Sequence, residues 1–105
     1  MAHFRVYENT NSAANKKYPY LLDIQSDLLD DLRTTVVIPL GPISLTGNTV
    51  MTKLCPIVEI KSKKFVVLTQ QLAGIDRKVL GKEIADASAY RSEVIAALDF
   101  LISGI

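Results

Sequence analysis

The chain has 105 residues, with 12 Lys plus Arg against 11 Asp plus Glu, and 49% of its residues are hydrophobic. This length fits one domain, residues 1–105, that can fold without disulfide or metal staples. A net charge of +1 argues against a general attraction to nucleic acid, and a single cysteine suits the reducing cytoplasm. The N-terminal segment has no apolar signal core, and no apolar stretch reaches the roughly 20 residues that span a bilayer. We therefore expect a cytoplasmic protein without a membrane segment.

The first predicted element is a strand near the start of the chain. Phe4 and Val6 alternate with Arg5 and Tyr7. A period of two places the first pair on one face of a strand and the second pair on the other. The polar composition of residues 8–17 then predicts a loop.

Two more strands follow in the first half. Residues 20–25 return to side chains that favour strands. The five consecutive β-branched residues at 34–38 give the strongest strand signal, and their apolar centre predicts burial on both faces. Pro39, Gly41 and Pro42 predict that this strand ends there.

The next segment predicts a hairpin with a charged tip. Apolar residues 56–60 and 65–69 flank a segment with three lysines at 61–64. Such a tip is typical of a solvated turn that protects a sheet edge. A brief turn or helical loop is predicted for residues 70–74, and a last short strand for 75–81.

The C-terminal segment changes to a helical period and predicts one helix packed on a small antiparallel sheet. Ser88 is a candidate N-cap, and Gly104 suits the residue after the helix end. The apolar positions of the helix share one stripe: Val94, Ile95, Leu98, Leu101 and Ile102.

The chain ends on apolar residues, Phe100 to Ile105, interrupted by Ser103 and Gly104. Chain ends are usually polar and frayed, so a neighbour should cover Ile105. Either the helix end tucks into the protein's own core or into a homodimer seam, or Gly104 and Ile105 form the contact tip for a partner. The residues alone leave both possibilities open.

Groups suited to catalysis are scarce. His3 is the only histidine, and Cys55 precedes an apolar strand, where a buried and inert thiol is the common case. Four aspartates between residues 23 and 31 lack the alternating ligand pattern and the glycine of a calcium loop. Ser26 or Asp27 is more simply the cap of a short turn. We expect no catalytic residue, no metal and no cofactor, which indicates a binding protein.

Taken together, short segments in order along nearly the whole chain resemble the CcdB family of bacterial toxins. The segments that carry the resemblance are Phe4-Arg5-Val6-Tyr7, Asp23-Ile24-Gln25-Ser26-Asp27, Val37-Ile38-Pro39-Leu40, Pro56-Ile57-Val58-Glu59-Ile60, Gly81-Lys82-Glu83-Ile84-Ala85-Asp86 and Gly104-Ile105.

The resemblance implies a mainly β (α+β) fold, an SH3-like antiparallel barrel with a long C-terminal helix, in a homodimer. It also implies a toxin, not an enzyme, that binds the A subunit of DNA gyrase and traps the cleaved complex of gyrase with DNA. The contact role of the family's terminal Gly-Ile falls on Gly104 and Ile105. A further partner-binding surface falls on Phe4, Tyr7 and Ser26.

A cognate CcdA-like antitoxin is the second partner that the resemblance implies, and contact with operator DNA would come only through it. The family typically has tryptophan before the terminal glycine, where this chain has Ser103. Two other hypotheses are a ribonuclease toxin on a related barrel and an inactive relative that binds only antitoxin.

Overall fold

The computed structural model describes residues 4–43 and 53–104, which form one curled antiparallel sheet and a C-terminal helix. The elements are β1 (Arg5–Asn9), β2 (Tyr20–Asp23), β3 (Thr34–Pro42), β4 (Ile57–Ile60), β5 (Lys63–Val67), β6 (Ala73–Asp76), β7 (Leu80–Asp86) and α1 (Arg91–Ser103). The sheet order is β4-β5-β3-β2-β1-β7, and β6 also pairs with β3. The predicted barrel-like α+β class is confirmed.

The central strands confirm the alternation that the sequence predicts. In β1 the side chain of Val6 is fully buried, whereas Arg5 and Tyr7 are only partly covered. Val6 lies opposite Leu22 of β2, which in turn lies opposite Ile38 of β3. All three belong to the main core cluster, because residues opposite each other in a sheet share a face.

Strand β3 corrects one prediction, since it continues through Pro39 and ends at Pro42. On the side away from β2, strand β3 pairs with two strands. Residues 34–37 pair with β6, and residues 40–42 pair with β5. The amide nitrogen and carbonyl of a strand residue point to the same side. The Pro39 carbonyl accepts from the amide of Leu68 at 3.1 Å, in the turn between β5 and β6. Pro39 therefore faces the gap between the two partners, where its missing N–H breaks no ladder bond.

The lysine-tipped hairpin is confirmed, with a tighter turn than expected. Lys61 and Ser62 have φ angles of 52° and 69°, the two left-handed residues of a type I′ turn. Lys63 and Lys64 already belong to β5.

The last part of the sheet differs from the prediction of one strand over residues 75–81. Residues 73–76 pair with β3 as β6, residues 77–79 form a 3-10 turn, and β7 then pairs with β1. The Asp76 carboxylate accepts from the amide of Lys78 at 3.0 Å and so caps this turn. Sequence periodicity misses such a division because each piece is short.

Helix α1 begins later than Ser88, and the predicted N-cap is wrong. Ser88 lies in a 3-10 turn, where its amide donates to the Asp86 carboxylate at 2.8 Å. The first turns of α1 bury Val94 and Ala97 completely. The hydroxyl of Tyr90 accepts from the amide of Glu59 on β4 at 3.1 Å, which ties the approach to the helix to that strand.

No helix within residues 4–43 and 53–104 has the length and apolar character needed to cross a membrane.

Candidate functional site

The last residues of helix α1 are exposed. Ile102 is 82% exposed, and Ser103 and Gly104 are exposed as well. Among the described residues, the helix end therefore does not tuck into the protein's own core. Ile105, the other predicted contact residue, lies outside the described residues.

Gly104 terminates the helix as predicted. Its φ of +73° is in the left-handed region, which glycine reaches without the clash of a side chain. Its amide donates to the carbonyl of Phe100 at 2.8 Å, and the hydroxyl of Ser103 donates to the carbonyl of Asp99 at 2.6 Å. These bonds close the last turn of the helix.

Phe4 lies inside the protein, only 1% exposed and part of the main core cluster. Its carbonyl accepts from the amide of Ala87 at 2.7 Å, and the guanidinium carbon of Arg91 lies 5.6 Å from its ring centroid. Its φ of +51° is unusual for a bulky residue and indicates a backbone held by its surroundings. Phe4 thus joins the start of β1 to the start of α1.

Tyr7 lies on the opposite face of β1 from the core. Burial raises the pKa of its hydroxyl above the ordinary value of 10.0, and the carboxylates of Glu83 and Asp23 act in the same direction. The phenol therefore stays protonated at neutral pH and can donate a hydrogen bond to a partner.

Arg5 is engaged with β7 on this same face. Its Nη1 lies 3.3 Å from Oε1 of Glu83, and both side chains are about half exposed, at 44% and 50%. An anion that approached Arg5 would also meet the carboxylate of Glu83. This pairing weakens Arg5 as a site for phosphate.

Ser26 caps the turn after β2, as predicted. Its hydroxyl accepts from the amide of Leu28 at 3.2 Å. The turn presents Leu28, 88% exposed, and Leu29, 45% exposed. Sequence reasoning missed these leucines as surface residues, although an apolar pair directly after a turn cap is a visible signal.

The turn after Ser26 is held from outside by Arg77. The Arg77 Nε donates to the carbonyl of Leu32 at 2.6 Å, and its Nη2 donates to the carbonyl of Leu29 at 3.1 Å. The exposed leucines therefore lie on a segment that these hydrogen bonds hold in place, which lowers the entropic cost of binding a partner.

Two other candidate groups, Asp23 and Cys55, have structural roles. The buried carboxylate of Asp23 accepts from the amide of Gln25 at 3.1 Å and from the Thr35 hydroxyl at 2.8 Å. Cys55 is buried as predicted, and burial raises the pKa of its thiol. Within the part of the chain that the structure describes, no three metal-ligating side chains come together. His3 lies outside that part.

The predicted residues fall into two places. Arg5 pairs with Asp23, so the start of β1 and the exit of β2 lie at the same end of the sheet. Phe4 and Ser26 belong to that end, together with the start of α1. Gly104 lies 13 residues further along the helix, a rise of about 20 Å.

Comparison with known proteins agrees with this architecture. A family model described as CcdB protein matches residues 3–104, nearly the whole chain. The protein therefore belongs to the CcdB family, toxins of toxin–antitoxin systems.

Two solved structures share the fold at low sequence identity. An endoribonuclease from Mycobacterial species is 12% identical, with a TM-score of 0.68 over 97% of this chain and 90% of that one. An endoribonuclease in complex with its cognate antitoxin, also from Mycobacterial species, is 12% identical, with a TM-score of 0.69 over 97% and 94%. At this identity the likeness establishes the fold alone.

Proposed function

We propose that this CcdB-family toxin binds the A subunit of DNA gyrase through the end of α1 and traps the gyrase–DNA cleavage complex. The observation that carries the proposal is the exposed helix end, where Ile102 leads to the left-handed Gly104. Gly104 and Ile105 match the contact pair of the family. The toxin acts by binding and is not itself an enzyme.

The turn after Ser26 supplies a second contact surface in this proposal. Leu28 and Leu29 expose apolar surface on a turn that Arg77 holds in place. The centre of a protein interface is typically apolar. Tyr7 adds a hydroxyl donor on the neighbouring strand. Phe4 contributes from within, because its core position holds the start of α1 in place.

A homodimer is part of the same proposal. Ile95, 39% exposed, and Leu101, 38% exposed, are apolar helix residues that the described chain leaves partly uncovered. A second copy would place two helix ends side by side, so that one gyrase dimer meets two contacts.

We further propose that a cognate antitoxin neutralises this toxin in the cytoplasm and that the complex represses the shared operon. Family membership supports an antitoxin, and one structural neighbour was solved in complex with its own. The formal net charge of +1 agrees with operator DNA being held by the antitoxin.

The test is a DNA cleavage assay with purified gyrase, comparing the full chain with a variant that lacks Gly104 and Ile105. The full chain should accumulate cleaved DNA, and the truncated chain should not, while its circular dichroism spectrum stays unchanged. Cleavage by both proteins would contradict the assigned contact. Antitoxin binding without any gyrase effect from the full chain would identify an inactive relative.

A ribonuclease toxin is the second candidate, and the shared fold of the two endoribonucleases is the observation that favours it. Fold alone does not establish activity. RNA incubated with the purified toxin should remain intact. Degradation that disappears on substitution of His3 or Arg5 would favour the ribonuclease instead.

A further inference from the structure

The turn between β2 and β3 presents apolar side chains and buries little of its own surface. We call residues 26–33 the leucine turn, because Leu28, Leu29 and Leu32 are 88%, 45% and 49% exposed. Its own backbone bonds are local: the amide of Leu29 donates to the carbonyl of Ser26 at 3.0 Å, and the amide of Leu32 to the carbonyl of Leu29 at 3.0 Å. A 3-10 segment this short has poor hydrogen-bond geometry. The leucine turn therefore needs support from another element to keep one conformation.

That support comes from Arg77, in the 3-10 turn between β6 and β7. Three of its nitrogens donate to carbonyls of the leucine turn: the amide to Arg33 at 3.0 Å, Nε to Leu32 at 2.6 Å and Nη2 to Leu29 at 3.1 Å. One residue thus holds the turn at its middle and at its end. The Arg77 side chain is only 29% exposed, so water competes little for these bonds.

The position of Arg77 is itself fixed by the sheet. Thr34 of β3 lies opposite Asp76 of β6, which brings residue 77 next to residue 33. The Asp76 carboxylate accepts from the amide of Lys78 at 3.0 Å and lies 3.7 Å from Nε of Arg33. The guanidinium therefore extends from backbone that the sheet and this cap hold in place.

Hydrogen bonds, more than charge, account for the support from Arg77. Its Nη2 lies 3.9 Å from Oδ1 of Asp30, whose side chain is 52% exposed, and such exposed ion pairs contribute little. Its two side-chain bonds reach two different carbonyls, which suits the rigid fork of a guanidinium and not the single ammonium of lysine. From the other side, Nε2 of Gln25 reaches the Leu29 carbonyl only at 3.5 Å, the limit of a hydrogen bond. Among the described side chains, Arg77 makes the shorter bond to this carbonyl.

We infer that Arg77 is a positioning residue for partner binding: it orders the leucine turn in advance, so that Leu28 and Leu29 meet the A subunit of gyrase already in place. The inference rests on the proposed function, in which this turn is the second contact surface. A segment that becomes ordered only on binding lowers the affinity, whereas a segment that is already ordered avoids that cost. Loss of Arg77 should thus weaken binding even though Arg77 itself need not touch the partner.

The first measurement needs no partner. Backbone order parameters from nitrogen-15 relaxation of the full-length protein should be about 0.85 at residues 28–32, the value of rigid backbone, and should fall toward about 0.6 in Arg77→Gln. Lys78→Gln is the matched control, because it removes the same charge from an exposed neighbour in the same 3-10 turn, and it should leave these values unchanged. Unchanged order parameters in Arg77→Gln would overturn the inference.

The second measurement is calorimetric titration of the gyrase A breakage–reunion fragment with the same proteins. Arg77→Gln should bind about fivefold more weakly than the wild type, and Lys78→Gln within about twofold of it. Arg77→Lys keeps the charge but not the fork, and should bind about threefold more weakly. Wild-type affinity in Arg77→Lys, together with weak binding by Arg77→Gln, would identify a charge contact with the partner and overturn positioning. The amide spectrum shows whether each variant is folded, and Arg77→Lys carries both measurements if Arg77→Gln is not.

A double-mutant cycle shows whether Arg77 acts through the leucines. In the Leu28→Ala background the effect of Arg77→Gln should shrink from about fivefold to about twofold or less, because a turn without this side chain contributes less to binding. In the Ile102→Ala background, at the other contact surface, the full effect should remain. Equal effects in the two backgrounds would overturn the inference.

Failure of the inference is distinct from failure of the proposed function. If the full chain binds no gyrase fragment, the proposed function fails, and the role of Arg77 in binding fails with it. If the full chain binds and Arg77→Gln binds equally well, only the inference on Arg77 fails.

Discussion

The two ends of helix α1 carry similar apolar residues but use them differently. At the start, Val94 and Ala97 are fully buried, and Tyr90 ties the approach to β4. At the end, Ile102 is 82% exposed and Gly104 stands in open space. The first half of the helix stabilises the fold, and the exposed end is the part that we propose contacts a partner.

This division has a physical basis in the core. Val94 contacts the cluster that contains Phe4 and Val6, and burying one such side chain contributes about 1.5–3 kcal/mol. No residue of the last turn belongs to that cluster among the described residues, and Ile102 stays 82% exposed. An anchored first half thus holds an apolar tip in a fixed direction.

The largest expected contrast comes from shortening one side chain at each end of the helix. Val94→Ala should lower the free energy of unfolding by about 2 kcal/mol, through lost burial and a cavity. Ile102→Ala removes more carbon atoms yet should cost less than about 0.5 kcal/mol, since its side chain is exposed. Urea unfolding at one protein concentration measures both. Equal losses would contradict the exposed position of Ile102.

A smaller effect is expected from an aromatic residue at the helix end. Ser103→Trp restores the residue that the family typically has before the terminal glycine, and should tighten binding to the gyrase A fragment about tenfold, because aromatic anchors are favoured hot spots. Lys82→Trp, at an exposed position on β7 away from the helix end, is the control and should leave affinity unchanged. Similar gains from both would point to nonspecific apolar binding.

The smallest effect concerns the turn before the helix and its dependence on pH. The hydrogen bonds from Ser88 lower the pKa of Asp86 below its ordinary value of 3.8. A carboxyl group with a lower pKa in the folded state stabilises the fold above its unfolded pKa, and this contribution is lost as the pH falls through the folded pKa.

Asp86→Asn should therefore reduce the fall in thermal midpoint between about pH 5 and about pH 2, because asparagine accepts the Ser88 amide at every pH. Asp31→Asn, at an exposed position, serves as the control and should keep the acid dependence of the wild type. If the thermal midpoint of Asp86→Asn fell with pH as steeply as that of the wild type, the ionisation of Asp86 would not contribute to stability.

Much of the sheet follows from local chemistry. The β-branched run at 34–38 became β3, and the lysine-tipped hairpin formed where alternation and turn residues agree. The end of β3 could not be predicted from the sequence, because the effect of Pro39 depends on a gap between β5 and β6 that only the tertiary structure creates. Long-range pairing decides such cases.

The candidate site was predictable in part. The turn cap at Ser26 and the left-handed Gly104 follow from residue preferences, and both are confirmed. The helical period, however, groups Val94 with Ile102, and nothing in the period separates the buried residue from the exposed one. Burial depends on where the core ends, which the sheet determines.

The proposed contact at the end of α1 is tested most directly by calorimetric titration of the gyrase A breakage–reunion fragment with the full chain and with the chain that lacks Gly104 and Ile105. We expect a binding heat for the full chain, no measurable heat for the truncated chain, and the same thermal midpoint for both. Equal binding by the two proteins would contradict the role assigned to the end of α1.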